Sequence, residues 1–189
     1  MARVVTNAAL RELNLEGVPP GDERRLEVVA NGLPLWHGAQ VAVDATLVAP
    51  VRRNGTAAPF TNEEDGVALH RAARRKRRTY PEFEGAGRCQ LVVFGIEVGG
   101  RWSQEAPDFI RLLARARGRA VPELVRRSAE LAWRNRWSAL IAVATQRALA
   151  ASLLELPLEQ AGCWDGEAPP LGEVLAEGRE AVSLMPLRP

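Results

Sequence analysis

The sequence predicts an α/β (α+β) fold, a small mixed sheet flanked by helices with a helical C-terminal half. Three observations carry it. Two β-branched, period-two segments come early, a cation-rich amphipathic segment and a third apolar strand segment follow, and residues 104–154 then keep helical spacing. At 189 residues the chain can bury a real core in one domain with an appendage.

Residues 1–24 are mixed in character and broken by "GVPPGDE", so they read as an N-terminal extension. "RLEVVA", 25–30, reads as a strand. After the loop "NGLPLWHG", "AQVAVDATLVAP" reads as a longer strand ended by Pro50. Alternation puts Val41, Val43, Ala45 and Leu47 on one face, and Asp44 on the other with Ala42, Thr46 and Val48. A carboxylate in mid-strand among apolar residues is costly unless something pairs with it.

"VRRNGTAAPFTNEEDG" is a polar loop, and "GVALHRAARRKRRTYPEF" a helix of three to four turns stopped by Pro81. On that helix Ala72, Lys76 and Tyr80 recur every fourth residue and form one row. Lys76 is the chain's only lysine and Tyr80 its only tyrosine. "RCQLVVFGIEVGGRW" is a third strand. Ser103 then caps a helix "QEAPDFIRLLARARGRA", Pro122 opens another, and Ser138 caps a buried core helix over 138–154. Residues 157–189, rich in Pro, Gly and Glu, read as a tail with one short helix at most. The main domain therefore spans 25–156.

Net charge is +2, so affinity for a polyanion must come from local clustering. Arg71, Arg74, Arg75, Lys76, Arg77 and Arg78 supply it, six cations within eight residues, with Glu63, Glu64 and Asp65 upstream as the helix dipole favours. Cys89 and Cys163 are far apart and match no zinc spacing, and His37 lacks an obvious nucleophile. The N-terminus lacks a signal-type apolar core, and Gln146 and Arg147 interrupt the longest apolar run. The expected setting is intracellular, nuclear or cytoplasmic, without a membrane span. No Walker loop, GxSxG elbow or dinucleotide fingerprint is present.

What remains is a constellation. Glu27 and Asp44 lie on consecutive strands joined by a short loop, and two carboxylates with waters and a phosphate oxygen suffice for Mg²⁺. Lys76 would supply a compact, titratable cation that arginine cannot replace. Glu97, near the end of the third strand, is a further candidate acid.

Taken together, "RLEVVANGLPLWHGAQVAVDATLVAP", "LHRAARRKRRTYPEF" and "CQLVVFGIEVGGRWSQEAPDFIRLLARA" resemble the restriction-like endonuclease domain of non-LTR retrotransposons and of eukaryotic proteins derived from them. That domain is a variant of the PD-(D/E)XK nuclease fold. Its pattern is a strand with Pro-Asp, a V-D-V-x-V strand, and a helix with a lysine followed four residues on by a tyrosine. The resemblance implies a hydrolase that cuts DNA with Mg²⁺ or Mn²⁺, with Glu27, Asp44, Lys76 and Tyr80 as catalytic positions. Glu27 and Asp44, helped by Glu97, would be the metal ligands. Arg71, Arg74, Arg75, Arg77 and Arg78 would lie on the nucleic acid, which could be an RNA/DNA intermediate, and a reverse transcriptase would act in trans. Leu26-Glu27 stands where the family has Pro-Asp, and Thr46 where an orthodox D-x-K motif has lysine, so Lys76 must supply the amine from the helix. An inactive, domesticated module that binds nucleic acid or protein is the alternative.

Overall fold

The computed structural model describes residues 2–154 and 169–183. The chain divides into two units, residues 1–109 and 110–189, so the division falls inside the stretch expected as one domain.

The first unit is built on a four-stranded sheet in the order β1 (Arg3–Ala9), β2 (Arg25–Asn31), β3 (Gln40–Val48), β4 (Cys89–Glu97). The first three strands run antiparallel and β4 runs parallel to β3. The parallel step needs a crossover, and α1 (Val67–Thr79) supplies it, packing on β3 and β4 through buried Val67, Leu69 and Ala72. Close approach at this packing explains Gly95, where a Cβ would stand 3.1 Å from Leu69 Cδ2 and 3.2 Å from Ser103 Cβ. A core of Leu10, Leu13, Leu26, Val29, Ala42, Tyr80 and Cys89 fills the space beneath. Burial pushes the Cys89 thiol up to about 11, which keeps it a protonated packing group; Cys163 lies outside the described residues.

Two expectations change in this unit. Residues 1–24 are not only an extension, because β1 pairs with β2 along its length. Ser103 does not spend its hydroxyl on α2 (Glu105–Gly118). It accepts from Gly95 N at 3.1 Å and donates to Val93 O at 3.3 Å, covering open backbone positions of β4.

The second unit holds most of α2 together with α3 (Arg126–Leu153) and α4 (Leu171–Ser183). Its core is Ala114, Ala129, Ala132, Trp133 and Val174, with Trp137, Leu171 and Leu175 at the margin. The two helices expected on either side of Ser138 are one 28-residue helix, since nothing between Arg126 and Leu153 is Gly or Pro and Ser138 is simply an interior residue. Nor is its second half a buried core helix: no residue of 138–154 is buried, and Leu140, Val143, Leu153 and Leu154 are exposed. The expected short tail helix is α4, which buries Val174; the rest of that tail, 155–168 and 184–189, lies outside the described residues. No helix among the described residues is long and apolar enough to cross a membrane.

A candidate active site at the end of the β2–β3 ladder

Pairing of β2 with β3 runs from Ala30↔Val41 to Val28↔Val43 and then stops. One step further along the same register, Glu27 stands opposite Asp44, so their side chains leave the same face of the sheet. Opposed like charges disfavour close pairing, and the ladder ends where they meet. The backbone groups freed there find side-chain partners. Ala45 N donates to Glu27 Oε2 at 2.6 Å, and the Tyr80 hydroxyl donates to the Arg25 carbonyl at 2.9 Å. On the far side of β2, β1 places Asn7 at the same level with φ 52°, and Arg25 Nε donates to Asn7 Oδ1 at 2.8 Å. Left-handed backbone at a non-glycine residue is a local strain, and it falls beside Glu27.

Asp44 is 2% exposed. Its Oδ1 receives Lys76 Nζ at 2.9 Å from α1, while its Oδ2 is buried with no hydrogen-bond partner among the described residues. The Lys76 side chain is 27% exposed, so the ammonium bridges the interior and the solvent. Partial burial raises the Glu27 carboxyl above its ordinary value; the Ala45 N–H opposes the shift and the neighbouring Asp44 charge adds to it. Burial likewise raises the Tyr80 phenol, with the Asp44 charge as the next contributor. Glu27, Asp44, Lys76 and Tyr80 therefore form one electrostatic cluster.

A second group of charges holds the end of α1 in place. Arg24 donates to the Thr79 carbonyl, where the helix stops, and to Glu82, while Asp22 Oδ2 meets its Nη2 at 2.6 Å. Its guanidinium also lies 5.9 Å from the Tyr80 ring centroid. Arg24 thereby pulls both carboxyls of Asp22 and Glu82 below the usual range. Sequence reasoning did not reach Arg24 or Glu105. Glu105 accepts from Val93 N at 3.1 Å and pairs with Arg77 at 2.7 Å. Arg24 reaches the helix end at Thr79 and Glu82, and Glu105 reaches Val93 and Arg77, through contacts remote in sequence, so no local spacing marks them.

Glu97 does not join the cluster. It pairs in register with Val48, whereas Asp44 pairs with Val93; four residues of strand, roughly 13 Å, separate the two levels. Its carboxylate faces Arg101 at 3.8 Å instead. Among the cations of α1, Arg71 lies over the Phe60 ring at 5.6 Å and Arg77 is tied to Glu105, while exposed Arg74, Arg75 and Arg78 have no ion pair among the described residues.

Asp44 Oδ2 and the second oxygen of Glu27 fit a small hard cation that keeps much of its water, as Mg²⁺ does. They do not fit a metal that needs a full protein cage, because the described residues contain no group of three or more His, Cys, Asp or Glu able to hold one. No family model, curated protein or solved structure matches this chain.

Proposed function

We propose that the first unit is a metal-dependent endonuclease of the restriction-like type, hydrolysing phosphodiester bonds in DNA. One observation carries the reading: a buried aspartate neutralised on one oxygen by the chain's only lysine, with its other oxygen unpartnered beside a second carboxylate. Burying a polar oxygen without a partner is costly, and retention of such a group is explained when a ligand completes it. The order β2 with Glu27, β3 with Asp44, then α1 with Lys76 and Tyr80 follows the pattern of the resemblance. Lys76 reaches Asp44 from the helix, which supports the idea that it replaces the lysine missing at Thr46.

When bound, a Mg²⁺ or Mn²⁺ ion would polarise a phosphate oxygen and lower the pKa of a coordinated water. Everything else falls to the chain. Glu27 and Asp44 supply the negative charge, and Asp44 fixes Lys76 where its ammonium can stabilise charge developing on the phosphate. Tyr80, bonded to the Arg25 carbonyl and held by Arg24, ties the end of α1 to β2. Arg74, Arg75 and Arg78 offer exposed cations to the backbone. The second reading, an inactive binding module, draws support from the Lys76 bridge, which already satisfies half of the Asp44 carboxylate.

Supercoiled plasmid incubated with Mg²⁺ or Mn²⁺ tests the two. Wild type is expected to yield nicked or linear product, Asp44→Asn none, and Lys76→Arg only a small remnant, since arginine keeps the charge but not the compactness of the ammonium. Cleavage undiminished in Asp44→Asn would refute the nuclease reading. DNA binding without cleavage by wild type would favour the inactive module.

A further inference from the structure

The second unit carries a different concentration of charge. A cavity of about 290 Å³ lies between α2 and α3, lined by Arg111 and Arg115 from the first and by Arg127, Glu130 and Arg134 from the second. The spacings, i,i+4 on α2 and i,i+3,i+7 on α3, turn one side of each helix to the same space. Four arginines and one glutamate leave a net charge of +3 around it.

Arg115, Arg127 and Arg134 are exposed and form no ion pair among the described residues. Arg115 is placed as the helix dipole favours, in the last turn of α2, but Arg127 is placed against it, in a first turn of α3 that has no acidic residue. Glu130 is held against the wall by the close approach of the two helices: a Cβ on Gly118 would stand 2.6 Å from Glu130 Cγ. Three exposed, unpaired cations around one space suit an external anion.

The lining also says which anion. Apart from the charged groups it contains only Ala114 and Leu131. It has no amide or hydroxyl to read a base edge and no aromatic ring to stack on a base. The volume corresponds to roughly ten water molecules, room for a phosphate group with part of its hydration. Paired guanidinium forks are suited to phosphate oxygens.

We propose that this cavity grips the phosphate backbone of nucleic acid without reading its sequence, as a second contact independent of α1. The proposal rests on nucleic acid being the partner, as in the reading above, and not on cleavage. Binding to two duplexes of unrelated sequence would be followed by fluorescence anisotropy across a salt series, in EDTA and on an Asp44→Asn background, so that cleavage plays no part. Arg115→Gln/Arg134→Gln should weaken both duplexes by the same factor and flatten the dependence of log K on log salt by about 1.8, at about 0.9 for each phosphate no longer neutralised. Glu130→Gln should tighten both. Arg119→Gln, which removes a charge outside the lining, should leave the slope as in the parent.

An unchanged slope in the double variant, with the parent still binding, would overturn the cavity's role and leave DNA as partner. Weakening confined to one sequence, or a loss seen only with vesicles of anionic phospholipid, would also overturn it. A parent that binds neither duplex at any salt would remove both this proposal and the nuclease reading.

Discussion

The two units place positive charge in opposite ways. In the first, the Lys76 ammonium is held at 2.9 Å from a carboxylate that is almost wholly buried, at one fixed point over the sheet. In the second, Arg115, Arg127 and Arg134 of the α2–α3 cavity are exposed and form no ion pair among the described residues. The difference is one of interchangeability. A charge fixed by a buried partner has a geometric role that a neighbour cannot take over, and its removal leaves the partner stranded. Exposed charges around a common space act additively, and each can be removed with little harm to the fold.

Stability should show the contrast most strongly in Lys76→Met. The change strands the Asp44 carboxylate, and breaking a buried pair from one side costs about 3–5 kcal/mol. The lower end is expected here because the ammonium is partly solvated. Denaturant melts are expected to place Lys76→Met about 3 kcal/mol below wild type, with Asp44→Asn added to it recovering part of the loss. Arg134→Gln, by comparison, should stay within about 0.5 kcal/mol. Equal effects at the two positions would erase the distinction.

The legible parts of the site were those whose chemistry contradicts their local setting. Asp44 is a carboxylate in an apolar strand and Lys76 a solitary lysine among arginines, so each raised a question that the ion pair resolves. Glu27 was reachable because the loop from β2 to β3 is short enough to bring the strands together. What stayed hidden depends on contacts between distant segments. β1 shows little alternating burial and is interrupted by Asn7, so pairing with β2 rather than sequence pattern makes it a strand. For 138–154, an apolar run says that the segment is helical but not what covers it, so hydrophobicity alone does not establish burial. Ser138 has the chemistry of a cap, yet capping needs a break in the helix, and no residue nearby makes one.

A smaller effect should follow from Tyr80→Phe. Ring packing survives, but the Arg25 carbonyl, already without a strand partner past the end of the ladder, loses its donor. Leaving a partly buried carbonyl unsatisfied costs about 1–3 kcal/mol. Hydrogen exchange should localise the change to β2 and the end of α1; an unaltered melt would mean that water replaces the hydroxyl without cost and that Tyr80 does not tie α1 to β2.

Glu27 is the group of the first unit that behaves least like Lys76, and it should give the smallest change in stability. Its carboxyl is raised above the ordinary value of 4.5 by partial burial first, with the Asp44 charge adding to the shift. Between the unfolded and the raised folded value the native state therefore binds more protons than the unfolded chain. Stability contributed by this group is present at low pH and declines as pH rises from about 4.5 through the raised value. Glu27→Gln abolishes that titration while keeping an oxygen able to accept from Ala45 N. The variant is expected to match or slightly exceed wild type in melts at neutral pH and to lose the corresponding decline in a pH series. It should also lose plasmid cleavage and any rise in melting temperature that Mg²⁺ gives wild type. A carboxylate retained against stability is what a cation site requires; if Glu27→Gln keeps both cleavage and the Mg²⁺ response, Glu27 serves only to close the end of the β2–β3 ladder.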